Sequence, residues 1–200
     1  MKIYYIGGSP CSGKSTVAEM LSEKYGFFYY KLDDKLHEHM KRAAQRDESR
    51  CKAYFSMTPE QIWMRKPKIQ FDDEVNIYRE IFKYALEDIA NLNVSNVISE
   101  GAGYLPELMK QIAVCENKYV CITPTRDFQI NRYSKRKWVH YVIEGCEDKQ
   151  AAFENWMERD AMFALYVAKT AKNLGYKTFL TDIMCKPSNI LYTVENVFGL

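Results

Sequence analysis

The stretch KIYYIGGSPCSGKSTVAEMLSEKYG near the start of the chain constrains the fold more than any other segment. Gly8, Gly13, Lys14 and Ser15 fit the spacing G-x-x-x-x-G-K-[ST], the pattern of a phosphate-binding loop. Both flanks fit the same reading. Ile3 to Ile6 is a short apolar run bounded by Gly7-Gly8, as expected of a buried strand. Val17, Met20, Leu21 and Tyr25 then recur at helical spacing, and Gly26 suits a helix C-terminus.

The residue types follow from the chemistry of a polyphosphate, which needs many donors converging on one small concave surface. Glycines let successive backbone N–H groups turn inward without a Cβ in the way. The helix that follows adds unpaired N–H groups and the positive end of its dipole. Gly8, Ser9, Pro10, Cys11, Ser12 and Gly13 would form the cradle, with Thr16 just beyond it. Lys14 reaches the outer phosphates as a point charge, and Ser15 offers a hydroxyl to Mg²⁺, a hard cation that prefers oxygen. ATP and Mg²⁺ are the expected cofactors. A mere Gly/Ser turn with a surface lysine would not need a strand before it and a helix after it.

With 200 residues the chain is expected to form a single domain spanning 1–200. A net charge of +2 argues against a nucleic-acid partner, so any basic patch must be judged locally. Cys11, Cys51, Cys115, Cys121, Cys146 and Cys185 include no C-x-x-C pair, the usage of free thiols in a reducing cytoplasm. Cys11 lies in the loop, where a positive field could favour its thiolate; alternatively it contributes only its backbone N–H. The first apolar run stops at Gly7, too short for a signal peptide, and nothing approaches a membrane span. A cytoplasmic protein, monomer or homodimer, is expected.

Further along, FFYYKL (27–32) reads as a second strand ending at Asp33-Asp34. Carboxylates at the C-terminal end of a parallel strand face the ligand side of an α/β protein. Either could take a proton from an attacking hydroxyl or orient Mg²⁺-bound water, or cap a helix starting at Lys35. In 35–72, His37 and His39 read as solvated, Thr58-Pro59 as a helix start and Pro67 as a stop. Trp63, Arg65 and Lys66 form an aromatic-basic cluster that could dock an acceptor or simply pack. A long amphipathic helix is expected over 73–91.

NVSNVIS (93–99) reads as a third strand, followed by Glu100 and Gly101 at a position suited to holding Mg²⁺ or meeting substrate. After a fourth strand, KYVCIT (118–123), Arg126, Arg132, Lys135, Arg136 and Lys137 crowd one stretch, with Arg132 and Arg136 expected on one helix face. Such arginines could close on a moving phosphoryl group or form a solvated basic face. In a helix over 150–174, Asp160 falls inside the apolar arc and Arg159 at its margin, where a charge needs partners; those open to Arg159 are Asp160, Glu100 or a bound phosphate. KTFLT (177–181) is the fifth strand, and the last helix starts near Pro187 or Ser188.

Five strands alternating with helices, the first feeding a phosphate loop, imply an α/β fold with a mostly parallel sheet covered on both faces. With GGSPCSGKST, Asp33-Asp34, Glu100-Gly101 and the arginines at 132 and 136 in this order, the chain resembles the small P-loop kinases, the group of shikimate, gluconate and nucleoside monophosphate kinases. The resemblance implies a three-layer P-loop NTPase fold with a helical acceptor-side insertion (35–72) and a short lid (125–150). It implies that Lys14, Asp33, Asp34, Arg132 and Arg136 are catalytic. Trp63, Arg65, Asp34, Glu100, Gly101 and Arg159 would meet a small-molecule acceptor; Ser15, Asp33 and Glu100 would serve Mg²⁺, and Pro187 the nucleotide. The shikimate kinase acceptor glycines are replaced by Glu100-Gly101-Ala102, so the acceptor stays open. A switch GTPase is set aside because Asn117-Lys118 is followed by Tyr119-Val120, without the aspartate of N-K-x-D. A nucleic-acid kinase and a non-catalytic nucleotide-binding regulator remain as alternatives.

Overall fold

The computed structural model describes residues 1–46 and 49–200. Strand β1 (Lys2–Gly8) leads into helix α1 (Lys14–Tyr25); β2 (Phe28–Lys31) leads directly into α2 (Leu32–Ala43). Two short helices follow, α3 (Arg50–Phe55) and α4 (Pro59–Trp63), then the long α5 (Pro67–Ala90). The second half runs β3 (Asn96–Glu100), α6 (Pro106–Gln111), β4 (Tyr119–Pro124), α7 (Arg126–Ser134), α8 (Val139–Val142), α9 (Lys149–Asn173), β5 (Lys177–Thr181) and α10 (Pro187–Phe198). The strands lie in the order β2-β3-β1-β4-β5, and every pairing is parallel.

Alternation along the strands builds the layers. Tyr4 and Ile6 of β1, Ile98 of β3 and Val120 and Ile122 of β4 join one core with Val17, Ala18 and Leu21 of α1 and Val194 and Phe198 of α10. Their neighbours Tyr5, Val97, Tyr119 and Cys121 point to the other face, against Ile81 and Ala85 of α5 and Phe163 and Val167 of α9. A period of two along each strand thus separates two helical layers across one sheet. A third, smaller core joins Trp63, Tyr133, Val139, Trp156 and Met157, tying α4, α7, α8 and α9 together.

Several expectations are corrected. Pro67 does not stop a helix but occupies the first turn of α5, where its missing N–H costs nothing. Helix α2 begins at Leu32, not Lys35, so neither Asp33 nor Asp34 caps it; both lie in its first turn. His39 is fully buried, its Nε2 2.7 Å from Asp88 of α5, whereas His37 is exposed as expected. Glu100 belongs to β3 itself. Arg136 lies beyond the end of α7, its N–H donating to the Tyr133 carbonyl, so Arg132 and Arg136 do not share a helix face.

Candidate active site

The loop after β1 closes around its own lysine. Gly8 has φ 119°, and a Cβ there would overlap the Ile122 carbonyl oxygen of β4, so both conformation and space demand glycine. Gly13, at φ 87°, turns the chain into α1. Lys14 is 4% exposed, with Nζ donating to the Ser9 carbonyl at 2.7 Å. The hydroxyls of Ser9 and Ser12 are buried without a partner. Cys11 takes a positive φ of 62°, and burial pushes its thiol up to about 11 against the pull of Arg136, so the loop does not make it a thiolate.

Ser15 donates through Oγ to Glu100 Oε1 at 3.0 Å, and the Tyr29 hydroxyl donates to the same oxygen at 2.9 Å. Glu100 is fully buried, and its Oε2 has no hydrogen-bond partner. Burial raises its pKa; Lys14 opposes the shift and Asp33 reinforces it. A buried carboxylate with a free oxygen beside a loop hydroxyl is a donor set that suits a hard divalent cation. Among the described residues no group of three or more His, Cys, Asp or Glu could hold a metal alone. Mg²⁺ does not require such a group, because it takes one or two protein oxygens and completes its shell with phosphate and water.

A cleft of about 810 Å³ opens over the loop. Pro10, Cys11, Ser12, Gly13, Lys14, Ser15 and Thr16 form its floor. Asp33, Asp34, Arg132, Arg136 and Pro187 also line it. The two aspartates differ. Asp33 Oδ1 accepts from the Ala102 N–H at 3.2 Å, and its charge acts on both Glu74 and Glu100. Asp34 is 67% exposed and pairs with Lys31 at 3.3 Å. Gly101 does not reach the cleft: a Cβ there would stand 2.6 Å from Leu32 Cβ and 3.1 Å from Asp33 Oδ1, so its bareness lets α2 sit against β3.

Arg132 and Arg136 are exposed, and each lies over aromatic rings: Arg132 over Phe128, Arg136 over Tyr133 and Trp138. The segment carrying them is anchored, since the Tyr133 hydroxyl donates to Asp160 Oδ2 at 2.8 Å.

Beside the cleft lies a smaller pocket of about 100 Å³ between α2, α4, α5 and α9. Leu36, Glu74, Tyr78 and Arg159 border both spaces. Arg159 Nη2 lies 2.6 Å from Asp160 Oδ1, and Nε 3.4 Å from Glu74 Oε2, so Glu74 and Asp160 are its partners and Glu100 is not. Burial disfavours the charged guanidinium, yet these carboxylates hold its pKa above the usual value. Burial lifts Glu74 to about 7 despite Arg159. Arg65 lines the same pocket and pairs with Asp73 at 2.5 Å. Trp63 does not face it: 5% exposed, its ring stacks on Trp156 at 4.6 Å in the third core.

Tyr29, Gln70, Asp73 and Glu74 were not anticipated. Gln70 and Glu74 carried a signal, because with Tyr78 and Ile81 they fall on the apolar face of α5, where a polar side chain needs a purpose.

No protein-family model matches the chain, and no curated protein does. Solved structures do. Shikimate kinase from Aquifex aeolicus vf5 is 17% identical, covers 100% of this chain and 96% of its own, and gives a TM-score of 0.43. TT1252 from Thermus thermophilus is 14% identical, with 100% and 98% covered and a TM-score of 0.49. Deoxyadenosine kinase from M. mycoides, solved with dCMP and a flexible dCDP, is also 14% identical over 100% and 98%, with a TM-score of 0.50. The chain has the small P-loop kinase fold. The likeness is one of fold, and it runs the full length of the chain. No helix among the described residues is long and apolar enough to cross a membrane.

Proposed function

We propose that the chain is an ATP-dependent phosphotransferase acting on a small-molecule alcohol. The observation that carries this reading is Asp33, which lines the loop cleft, is anchored by the Ala102 N–H and lies near enough to Glu74 of the side pocket for its charge to act there. In that place it can take the proton of a hydroxyl presented from the pocket. Mg-ATP, when bound, supplies the phosphoryl group and neutralises part of its charge. Ser15 and Glu100 would hold the cation, the loop N–H groups and Lys14 the phosphates, and Pro187 would border the nucleotide. Arg132 and Arg136 would oppose the charge that spreads over the moving group. Asp34, turned to solvent with Lys31, supports the cleft rim rather than the proton transfer. A side pocket of about 100 Å³ favours a compact acceptor over a nucleic-acid strand.

The test is ADP release with Mg-ATP over a panel of sugars, polyols, nucleosides and nucleotides, with Lys14→Ala as control. Acceptor-dependent release lost in the control supports the reading. ATP binding with no acceptor-dependent release from any member would leave a nucleotide-binding protein instead.

A further inference from the structure

The side pocket contains its own charge balance. Its lining holds two cations, and both are committed. Arg65 Nη1 is 2.5 Å from Asp73 Oδ2, and Arg65 Nε donates to the Ile62 carbonyl at 3.4 Å. Arg159 is held by Asp160 through Nε at 2.7 Å and Nη2 at 2.6 Å, with Glu74 beyond. Each guanidinium of the lining is thus already paired, Arg65 with Asp73, which also lies 3.7 Å from Arg50, and Arg159 with Asp160 and Glu74, so neither is free for a ligand. A phosphate or carboxylate brought here would lose its hydration without a free cation to pair with.

Two acceptor atoms of the pocket have no hydrogen bond. Gln70 is 3% exposed and its amide nitrogen donates to the carbonyls of Trp63 and Arg65 at 3.0 and 2.8 Å, which fixes the orientation of the amide. Its Oε1 is left buried without a partner. Glu74, 9% exposed, likewise has Oε2 without a hydrogen bond, with Arg159 Nε 3.4 Å away. Leu36, Met40, Ile62 and Ile77 supply apolar walls, and Tyr54 an aromatic one. A buried acceptor without a hydrogen bond is costly unless a ligand satisfies it. The space, about 100 Å³, is smaller than the ~150 Å³ cavity that takes benzene, so only a compact group enters it.

We propose, resting on the phosphotransferase reading, that the acceptor is an alcohol whose buried end carries no anionic group and gives N–H or O–H donors to Gln70 and Glu74. A molecule seated so can extend past Tyr78 and Arg159, which border both spaces, to bring its hydroxyl to Asp33. Specificity then comes from a repulsive element as well as an attractive one.

Paired probes test this: glycerol against glycerate, ethylene glycol against glycolate, and glucose against gluconate. Binding is read by saturation-transfer NMR with a non-hydrolysable ATP analogue and Mg²⁺, and turnover separately by ADP release. At least one uncharged member should bind more tightly than its anionic partner, by roughly 10²-fold, the scale of a buried charge left without a partner. Gln70→Leu should weaken that binding about tenfold, the loss of one hydrogen bond. Asp73→Asn, which frees Arg65, should narrow the gap by strengthening the anionic partner. Binding with these preferences but no turnover would uphold the pocket assignment and remove the phosphotransferase reading. A panel in which no uncharged member binds better than its anionic partner overturns the inference, as does a preference unchanged in both variants.

Discussion

Lys14 and Asp33 carry the sharpest expectations at the scale of single residues. Lys14→Ala should abolish phosphoryl transfer, with a thermal melt close to wild type, since Nζ gives up only one internal hydrogen bond, to Ser9. Wild-type turnover in that variant would remove the loop from the chemistry. Asp33→Asn should lower kcat by ~10²-fold or more while leaving ATP binding intact, because it removes the proton acceptor and not the cradle. Asp34→Asn should change kcat little; its carboxylate is exposed and its partner Lys31 is on the surface. Equal losses in the two variants would contradict the division of roles. The sequence displayed these aspartates side by side but could not separate them, since the N–H that anchors Asp33 belongs to Ala102, after a different strand. The phosphate loop was legible because all its parts are contiguous. Trp63 stayed open between docking and packing for the opposite reason: its ring is claimed by Trp156, on a helix distant in the chain.

At the scale of elements, the strands and long helices follow from periodicity, and their ends do not. Proline at 67 is compatible with a stop or with a first turn, and only the packing of α5 against α2 and α9 decides for the start. The arginine segment shows the same limit, because α7 ends at Ser134 and the turn after it, not a helix face, presents Arg136. If Arg136 opposes charge in the transition state, Arg136→Ala should lower kcat by ~10²-fold or more. Arg136→Lys should restore little, because an ammonium lacks the planar fork. A solvated face would leave kcat near wild type in both, with stability within about 0.5 kcal/mol. The anchor of the segment makes a separate prediction. Tyr133→Phe leaves Asp160 without one donor and should cost about 1–3 kcal/mol in a denaturant titration. Gly101→Ala acts between elements: its Cβ would press Leu32, displace the first turn of α2, and lower kcat more than ATP affinity.

Across the whole molecule, buried ionic groups connect α2, α5 and α9, and they make stability depend on pH in two opposite ways. Asp88 of α5 is partly buried, yet hydrogen bonds from His39 and Tyr30 and the charge of Arg42 hold its pKa below the usual 3.8. Its contribution is therefore present above the unfolded value and lost as pH falls through the lower folded one. Glu74 behaves in the reverse sense. Burial, assisted by Asp160 and Asp33 and opposed by Arg159, raises it from 4.5 to about 7. The folded chain holds that proton more tightly than the unfolded one, so its contribution is full below 4.5 and is lost as pH rises through about 7. Wild type should accordingly lose thermal stability between about pH 5 and about pH 8. Glu74→Gln keeps the shape and an acceptor oxygen without the titration, so most of that loss should disappear in the variant. Melting temperatures of both proteins across this range, measured without ligand, decide the matter. Parallel profiles would mean that Glu74 titrates as an ordinary carboxylate and that Arg159 compensates its burial in full.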